Sequence, residues 1–249
     1  MSTTATTVRA VLGAETRLML REPGALFWII VFPPALLGIL GLIPDFRTPN
    51  EDLGGLRTVD LYVPTALILT AIMASLMTMP AVISTYRERL VLRRYATTPA
   101  RAGDLLLAQG VLHAGAVLLG SGLALLVGYA VYDVRIASLG SAALVYVCAV
   151  AANLACGALI AGLAPSAKTA TVIGTAVFFP SMFTAGVWYP ISALPQWAET
   201  LVGLTPNGAA VLGLEQAVAG DWPDPMHLIV LLAWTVLAGA VAARYFRWE

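Results

Sequence analysis

The run LYVPTALILTAIMASLMTMPAVIST, residues 61–85, contains no charged side chain. A helix that crosses the hydrocarbon core of a bilayer needs about 20 mostly apolar residues, so this run is long enough to span a membrane. The whole chain has the same character: of its 249 residues, 59% are hydrophobic and 11% are charged, and the mean hydropathy is +0.83. Soluble domains contain roughly 25% charged residues. The sequence therefore predicts an all-α integral membrane protein.

Five further runs resemble residues 61–85 in length and composition. We predict one transmembrane domain over residues 1–249 with six transmembrane helices, at residues 25–43, 61–85, 105–132, 139–163, 169–187 and 226–245. A seventh apolar stretch, residues 190–219, is interrupted by Pro195 and Pro206 and carries Glu199 and Glu215. Irregular backbone at membrane depth must be shielded by protein or must line a wet cavity. We therefore expect short outer helices there that re-enter the membrane without crossing it.

The positions of the basic residues predict the orientation of the spans. If the N-terminus is cytoplasmic, eleven of the 14 Lys and Arg residues lie on the cytoplasmic side, namely Arg9, Arg17, Arg21, Arg87, Arg89, Arg93, Arg94, Arg101, Lys168, Arg244 and Arg247. Only Arg47, Arg57 and Arg135 then lie outside. Cytoplasmic loops of membrane proteins carry an excess of Lys and Arg. We predict a multi-pass protein of the cytoplasmic (inner) cell membrane with both termini in the cytoplasm.

The loop between the second and third spans, residues 86–104, concentrates five arginines in one short segment. Its apolar residues from Leu90 to Tyr95 alternate with arginines at a spacing typical of a short amphipathic helix. Pro99 favours an end to that helix, because a proline disfavours helical geometry at the preceding residue. Two interpretations are open: a solvated signal that only fixes topology, or a docking element for a cytoplasmic partner.

The N-terminal stretch, residues 8–24, has a similar amphipathic pattern. Apolar residues at close to helical spacing alternate with arginines, which is typical of a helix that lies in the plane of the membrane surface. Pro23 and Gly24 then favour a bend into the first span. We predict an interfacial elbow helix here.

Several kinds of chemistry are disfavoured by the sequence. GLAPSAKT, residues 162–169, resembles a phosphate-binding loop, but Ala167 replaces the second glycine and no strand precedes the stretch. The zinc-protease pattern H-E-x-x-H is missing, and His113 lies two helical turns from Ser121 on the same predicted helix. We expect no catalytic residues, no metal and no nucleotide site in this chain. A formal net charge of zero gives no general attraction to nucleic acid.

The aromatic stretch near the end of the fifth predicted span has two interpretations. It either lines an apolar path for a lipophilic solute or forms an aromatic belt at the membrane interface. The path residues would be Phe178, Phe179, Met182 and Phe183, together with Asn153 on the fourth span. For Asn153, the alternative is a hydrogen bond between helices.

Three segments, taken in order, resemble one family. REPGALFWIIVFPPAL (residues 21–36) resembles its proline-containing start of the first span. YRERLVLRRYATTPARAGDLLLAQ (residues 86–109) resembles its cytoplasmic signature, which has an acidic residue, a leucine, a basic pair and a Thr-Pro. GVWYPISALPQWAETLVGLTPNGAAVLGLEQ (residues 186–216) resembles its outer segment. The family is that of the membrane-spanning subunits of ABC-2-type exporters, and the chain is most similar to drug-efflux permeases of the daunorubicin-resistance type.

The resemblance implies a set of site residues. A coupling segment would sit in a groove of a separate ATPase subunit, and its residues would be Arg87, Glu88, Arg89, Leu92, Arg93, Arg94, Tyr95, Thr98 and Pro99. The elbow helix would also touch the ATPase, and its implied residues are Arg17, Arg21, Glu22 and Pro23.

The resemblance also implies partners and a function. Two permease chains, expected to be identical, would work with two copies of a cytoplasmic ABC ATPase, and ATP and Mg²⁺ would bind to that ATPase. The complex would export a lipophilic drug-like or lipid compound through the bilayer, as in multidrug efflux and antibiotic resistance. Two alternatives stay open: export of a lipid-linked glycan by the same architecture, and a membrane scaffold or sensor that transports nothing.

Overall fold

The computed structural model of the chain describes residues 2–53, 55–91 and 102–245. Helix makes up 83% of it, and within these residues the only extended pairing is one isolated bridge between Pro49 and Arg57. The all-α prediction is therefore confirmed. Six of the predicted coupling residues lie outside the described residues: Leu92, Arg93, Arg94, Tyr95, Thr98 and Pro99.

The described residues form nine helices, if segments that run on without a break are joined. They are α1 (Ser2–Met19), α2 (Pro23–Leu40), α3 (Thr58–Glu88), α4 (Ala102–Tyr132), α5 (Leu139–Leu163), α6 (Ala167–Thr184), α7 (Gln196–Gly203), α8 (Pro206–Ala219) and α9 (Pro225–Tyr245). Short 3-10 turns occupy Pro44–Arg47, Glu51–Leu53 and Ile191–Ala193.

Five helices are long and apolar enough to cross a membrane: α2, α3, α5, α9 and the part of α4 from Leu107 to Tyr132. Each overlaps one of the predicted spans. The remaining predicted span, residues 169–187, corresponds to α6, which has 18 residues and is not among the five. α6 begins beside Lys168 and contains Pro180, and both residues lower its mean hydropathy.

α3 is the central helix of the fold. Of its most apolar 18-residue stretch, 78% is buried inside the protein, compared with 22–33% for the other four candidate spans. The helices α2, α4, α5, α6 and α8 all pack against it. Burial of an unpaired charge is costly, whereas burial of apolar groups away from water is favourable, which explains why residues 61–85 carry no charge.

Two helices widen into a π-helical turn just before a proline. In α2 the π segment is Phe27–Val31, followed by Pro33 and Pro34, and in α3 it is Met73–Thr78, followed by Pro80. Proline has no N–H and its ring collides with the carbonyl one turn earlier, so a regular α-helical hydrogen bond cannot form there. In each helix the wider turn accommodates the proline or prolines that follow it without ending the helix.

The π segment of α3 is also a place where two neighbouring helices approach closely. A methyl group at Gly157 on α5 would overlap the carbonyl oxygen of Ser75, and one at Gly174 on α6 would overlap that of Leu76. Glycines at these two positions let the backbones of α5 and α6 contact α3 directly, as small residues do in membrane helix pairs.

The segment after α6 contains the two short helices α7 and α8. α8 is buried from Asn207 to Leu214 and packs against α3, α5 and α9. Its first turn is capped by Thr205, whose hydroxyl accepts a hydrogen bond from the Gly208 N–H at 3.1 Å. In contrast, α7 exposes Trp197 and Leu201. One helix therefore belongs to the core, and the other presents an apolar face to its surroundings.

Candidate functional site

The predicted coupling segment begins inside α3. Arg87 and Glu88 are the last two residues of that helix, and the Arg89 N–H still donates to Thr85 O at 3.0 Å. Leu90 has φ 55°, a left-handed conformation that ends a right-handed helix. Arg87 and Glu88 thus extend α3, and the chain turns at Arg89 and Leu90. The amphipathic helix predicted from Leu90 to Tyr95 lies mostly outside the described residues and stays a prediction.

Arg87 binds the end of α5. Its guanidinium donates hydrogen bonds to the carbonyl oxygens of Ala164 at 2.8 Å and Ala161 at 3.0 Å. The last carbonyls of an α-helix lack partners within the helix, and they carry the negative end of its dipole. A cationic side chain at this position therefore satisfies two acceptors and complements the dipole of α5.

Glu88 binds the start of α6. Its Oε1 accepts a hydrogen bond from the backbone N–H of Ala167, the first residue of that helix, at 2.9 Å. The Ser166 hydroxyl accepts a second one from the Thr169 N–H at 3.1 Å. Both N–H groups lie in the first turn, where the helix has no acceptors of its own and where negative charge is favoured.

These bonds show a structural role for residues 162–169, the stretch that resembles a phosphate-binding loop. A helix start whose first N–H is bound to the carboxylate of Glu88 presents negative charge at the place where a phosphate-binding loop would hold phosphate. Ser166 is the capping residue of α6. The stretch is a capped turn between two helices.

Tyr86, the residue before Arg87, binds a buried carboxylate on α1. Its hydroxyl donates to Glu15 Oε2 at 2.6 Å, and Gln109 Nε2 of α4 donates to the same oxygen at 2.7 Å. Glu15 is only 3% exposed. One turn further along α4, His113 Nδ1 is hydrogen-bonded to the Gln109 carbonyl at 2.8 Å. The carboxylate thus fastens α1 to both α3 and α4.

We call Tyr86, Arg87 and Glu88 the α3 hub. These three consecutive residues bind four other helices: α1 and, through the shared Glu15 carboxylate, α4 on one side, and α5 and α6 on the other. The family model described as ABC-2 type transporter matches residues 6–217. The chain belongs to the ABC-2 type transporter family.

The ABC-2 membership fixes the general class of the protein. It is a multi-pass membrane permease of an ABC transporter, and permeases of this family typically pair with an ATPase subunit. The matched region contains α2 to α7 and all but the last two residues of α8. No curated protein matches the chain.

The elbow residues of this ABC-2 permease lie where α1 meets α2. α1 starts at Ser2 and ends at Met19, and α2 starts at Pro23. The other three implied elbow residues, Arg17, Arg21 and Glu22, are exposed around the bend. Sequence reasoning missed Glu15. The signal was its spacing: it lies four residues after Val11 and three after Leu12, on the apolar face of α1.

The five predicted path residues of the permease do not share one surface. On α6, Phe178 and Met182 are buried, whereas Phe179 and Phe183 are 58% and 51% exposed. Asn153 is buried on α5, and its amide donates to the Ala149 carbonyl of its own helix at 3.0 Å. The bond that the structure shows for Asn153 is therefore within one helix and not between two.

A buried polar chain that sequence reasoning missed joins three spans of the permease. Thr70 Oγ1 on α3 lies 2.7 Å from Ser121 Oγ on α4, and Ser121 is also hydrogen-bonded to the hydroxyl of Tyr146 on α5. Thr70 and Ser121 are buried. Hydrogen bonds of this kind hold membrane helices in register. The only signal in the sequence was the presence of single hydroxyl residues within apolar runs.

Proposed function

We propose that this permease exports a lipophilic drug-like or lipid compound out across the cell membrane, driven by ATP hydrolysis in two copies of a cytoplasmic ABC ATPase. The α3 hub is the observation that carries this proposal. It ends the candidate span with the largest buried share, binds four other helices, and precedes in the sequence the remaining arginines of the predicted cytoplasmic loop, residues 86–104. A force that the ATPase applies to that loop would reach those helices through the hub.

We place the hub in the cytoplasm, together with both termini. The three arginines at the opposite end have partners nearby: Arg57 pairs with Asp60 at 2.7 Å, Arg135 pairs with Asp133 at 3.1 Å, and Arg47 lies over the ring of Tyr132. The orientation rule counts Lys and Arg rather than net charge, and eleven of the 14 fall on the hub side of the predicted topology. This excess supports a cytoplasmic orientation of the hub.

We propose six spans, with α6 as the fifth. Three contacts between α6 and α3 follow in antiparallel order. Ala167 binds Glu88, Gly174 approaches Leu76, and the Val187 carbonyl, just beyond α6, accepts a hydrogen bond from the Tyr62 hydroxyl at 3.3 Å. α6 thus accompanies α3 along most of its length, which supports a full crossing. On this basis residues 190–219 lie on the outer side as re-entrant helices.

We propose that two identical permease chains form the transport unit and that the exposed face of α6 borders the path of the solute. Phe179 and Phe183 give this face a lipophilic aromatic surface. Phe178, Met182 and Asn153 would support the path from behind, since all three are buried.

Reconstitution tests the proposed function. A candidate ABC ATPase, chosen from the genes that neighbour this one, is purified with the permease and placed in liposomes. We expect the permease to retain the ATPase, to change its rate of ATP hydrolysis and to drive ATP-dependent movement of a fluorescent lipophilic anthracycline. An ATPase variant that binds ATP without hydrolysing it should abolish movement. Export would be contradicted if the wild-type permease neither retained the ATPase nor changed its rate.

A further inference from the structure

The two charged residues of the α3 hub form a clamp around one short turn. Arg87 holds the carbonyl end of α5 and Glu88 holds the N–H end of α6, on either side of residues 164–166. The resemblance to exporters implies that these side chains meet the ATPase. In the structure their hydrogen bonds instead run within the chain, to partners 74 to 79 residues away.

We propose that Arg87 and Glu88 are positioning residues that lock the ends of α3, α5 and α6 into one unit, so that a push on residues 92–101 moves all three helices together. This inference rests on the proposed function, because it specifies how the movement travels from the loop into the membrane. Binding of the ATPase itself is left to the residues that follow the clamp.

The geometry explains why a single helix end can move three helices. The bonds of Arg87 and Glu88 are made at the ends of α5 and α6, where the effect of the helix dipoles is concentrated. Further along α3, Gly157 and Gly174 bring the same two helices into backbone contact with its π segment. α5 and α6 are thus fixed to α3 at two levels, and the clamp is the level nearer the loop.

The substitution Ala167→Pro breaks the bond to Glu88 without changing Glu88 itself. It therefore distinguishes the effect of the clamp from an effect of contact between Glu88 and the ATPase. Proline is well tolerated at the first position of a helix, where the N–H has no partner within the helix. Ser166 has φ −146° and ψ 160°, a conformation compatible with a following proline. The substitution therefore removes the N–H that Glu88 binds and leaves the carboxylate of Glu88 available to a partner protein. Gln196→Pro is the matched control, because it places a proline at the first position of α7.

The experiment compares wild type, Ala167→Pro, Glu88→Ala, the double variant and the Gln196→Pro control, all with the same reconstituted ABC ATPase. We expect every variant to retain the ATPase with unchanged affinity. Ala167→Pro and Glu88→Ala should each reduce transport per ATP hydrolysed by roughly threefold to tenfold, the scale of one charge-assisted hydrogen bond at a partly exposed site. The double variant should be no worse than either single one, since both remove the same bond.

A distance measurement provides a readout that loss of folding would not mimic. Spin labels at Thr85 on α3 and Thr171 on α6, in a background without Cys148 and Cys156, report whether the two helices move together. In the wild type the distance should stay constant when ATP is added, and in Ala167→Pro it should change or broaden. Glu88→Gln keeps an acceptor oxygen and should behave closer to wild type than Glu88→Ala.

Two results would overturn the clamp. One is loss of ATPase binding in Glu88→Ala with no effect of Ala167→Pro, which would place Glu88 in contact with the ATPase. The other is a distance between Thr85 and Thr171 that changes with ATP in the wild type. Failure of the proposed function itself looks different, because the wild-type permease would then not retain the ATPase at all.

Discussion

At the scale of single residues, the buried carboxylate of Glu15 accounts for the position of α1. It accepts hydrogen bonds from two neutral donors, Tyr86 and Gln109, in a site closed to water. A small apolar cluster of Val11, Leu105 and Ala108 packs beside it. Polar bonds and apolar contacts thus act together in the docking of α1, and both polar bonds end on the same oxygen, Glu15 Oε2.

Glu15→Ala should loosen α1. It removes the oxygen that accepts both bonds, so the Tyr86 hydroxyl and the Gln109 amide lose this acceptor in a buried site, at a cost of about 1–3 kcal/mol for each group left without a partner. We expect faster proteolysis within α1 and a lower melting temperature in detergent. Glu22→Ala is the control, because Glu22 is exposed and makes no capping bond. Equal effects of the two substitutions would show that Glu15 does not hold the helix.

The second prediction concerns Glu215 on α8 and the dependence of stability on pH. Burial, with a smaller contribution from the charge of Glu199, raises the pKa of Glu215 from 4.5 to about 8. Because the folded protein holds this proton more tightly than the unfolded chain does, protonation stabilises the fold. That stabilisation is complete below pH 4.5 and is lost as the pH rises through about 8.

This effect is measured by thermal unfolding of the purified permease between pH 5 and pH 9. The upper limit lies about one pH unit above the pKa of Glu215 in the folded protein. We expect the melting temperature of the wild type to fall across this range more steeply than that of Glu215→Gln, which cannot ionise. Glu199→Gln should shift the fall to lower pH, because the removal of that charge makes the proton of Glu215 easier to lose. Parallel curves for wild type and Glu215→Gln would mean that this carboxyl group has an ordinary pKa.

At the scale of helices, the π segment of α3 is a site of close backbone contact with two neighbouring helices. Met73–Thr78 bulges where α5 and α6 approach, and the approach depends on Gly157 and Gly174. The widened turn and the two glycines belong to one arrangement, since the carbonyl oxygens of Ser75 and Leu76 point to where side chains at these positions would lie.

Gly157→Ala should therefore be destabilising, although alanine is the better helix former. Its methyl group would overlap a backbone oxygen, which has no rotamer to move away, and overpacking of this kind costs about 1–3 kcal/mol. Gly115→Ala on α4 is the matched control, because a methyl group there meets no atom within 4 Å. We expect a lower melting temperature for the first variant and an unchanged or higher one for the second. The reverse order would contradict this packing.

At the scale of the whole molecule, the crossing of α6 decides the number of spans. Single cysteines at Lys168 and Trp188, in a background without Cys148 and Cys156, test it with a maleimide that does not cross membranes. On intact cells we expect labelling at position 188, and labelling at position 168 only after permeabilisation. A cysteine at Arg135, in the turn between α4 and α5 that the proposed orientation places outside, is the control. Labelling of both sites from outside would show that α6 does not cross.

Much of the fold could be predicted from hydropathy, because a charge-free run such as residues 61–85 has few soluble alternatives. Hydropathy predicts a span less strongly for α6, which contains Lys168 and Pro180.

The contacts of the hub could not be predicted from the sequence, for a different reason. Arg87 and Glu88 were visible as charged residues, but their partners are backbone atoms 74 or more residues away. Since every residue has such atoms, no pattern in the sequence marks Ala161, Ala164 or Ala167 as the partners.

The long separation of these contacts has a consequence for how the protein is made. The ribosome delivers α3 well before α5 and α6, so during synthesis Arg87 has no carbonyl to bind and Gly157 and Gly174 are still missing from its surroundings. α3 must enter the bilayer on its own hydrophobicity, with lipid around residues that later become the core. The clamp closes only after residue 167 has been added. Closure therefore marks the point in biogenesis at which a chaperone or protease could distinguish an assembled permease from an unfinished one.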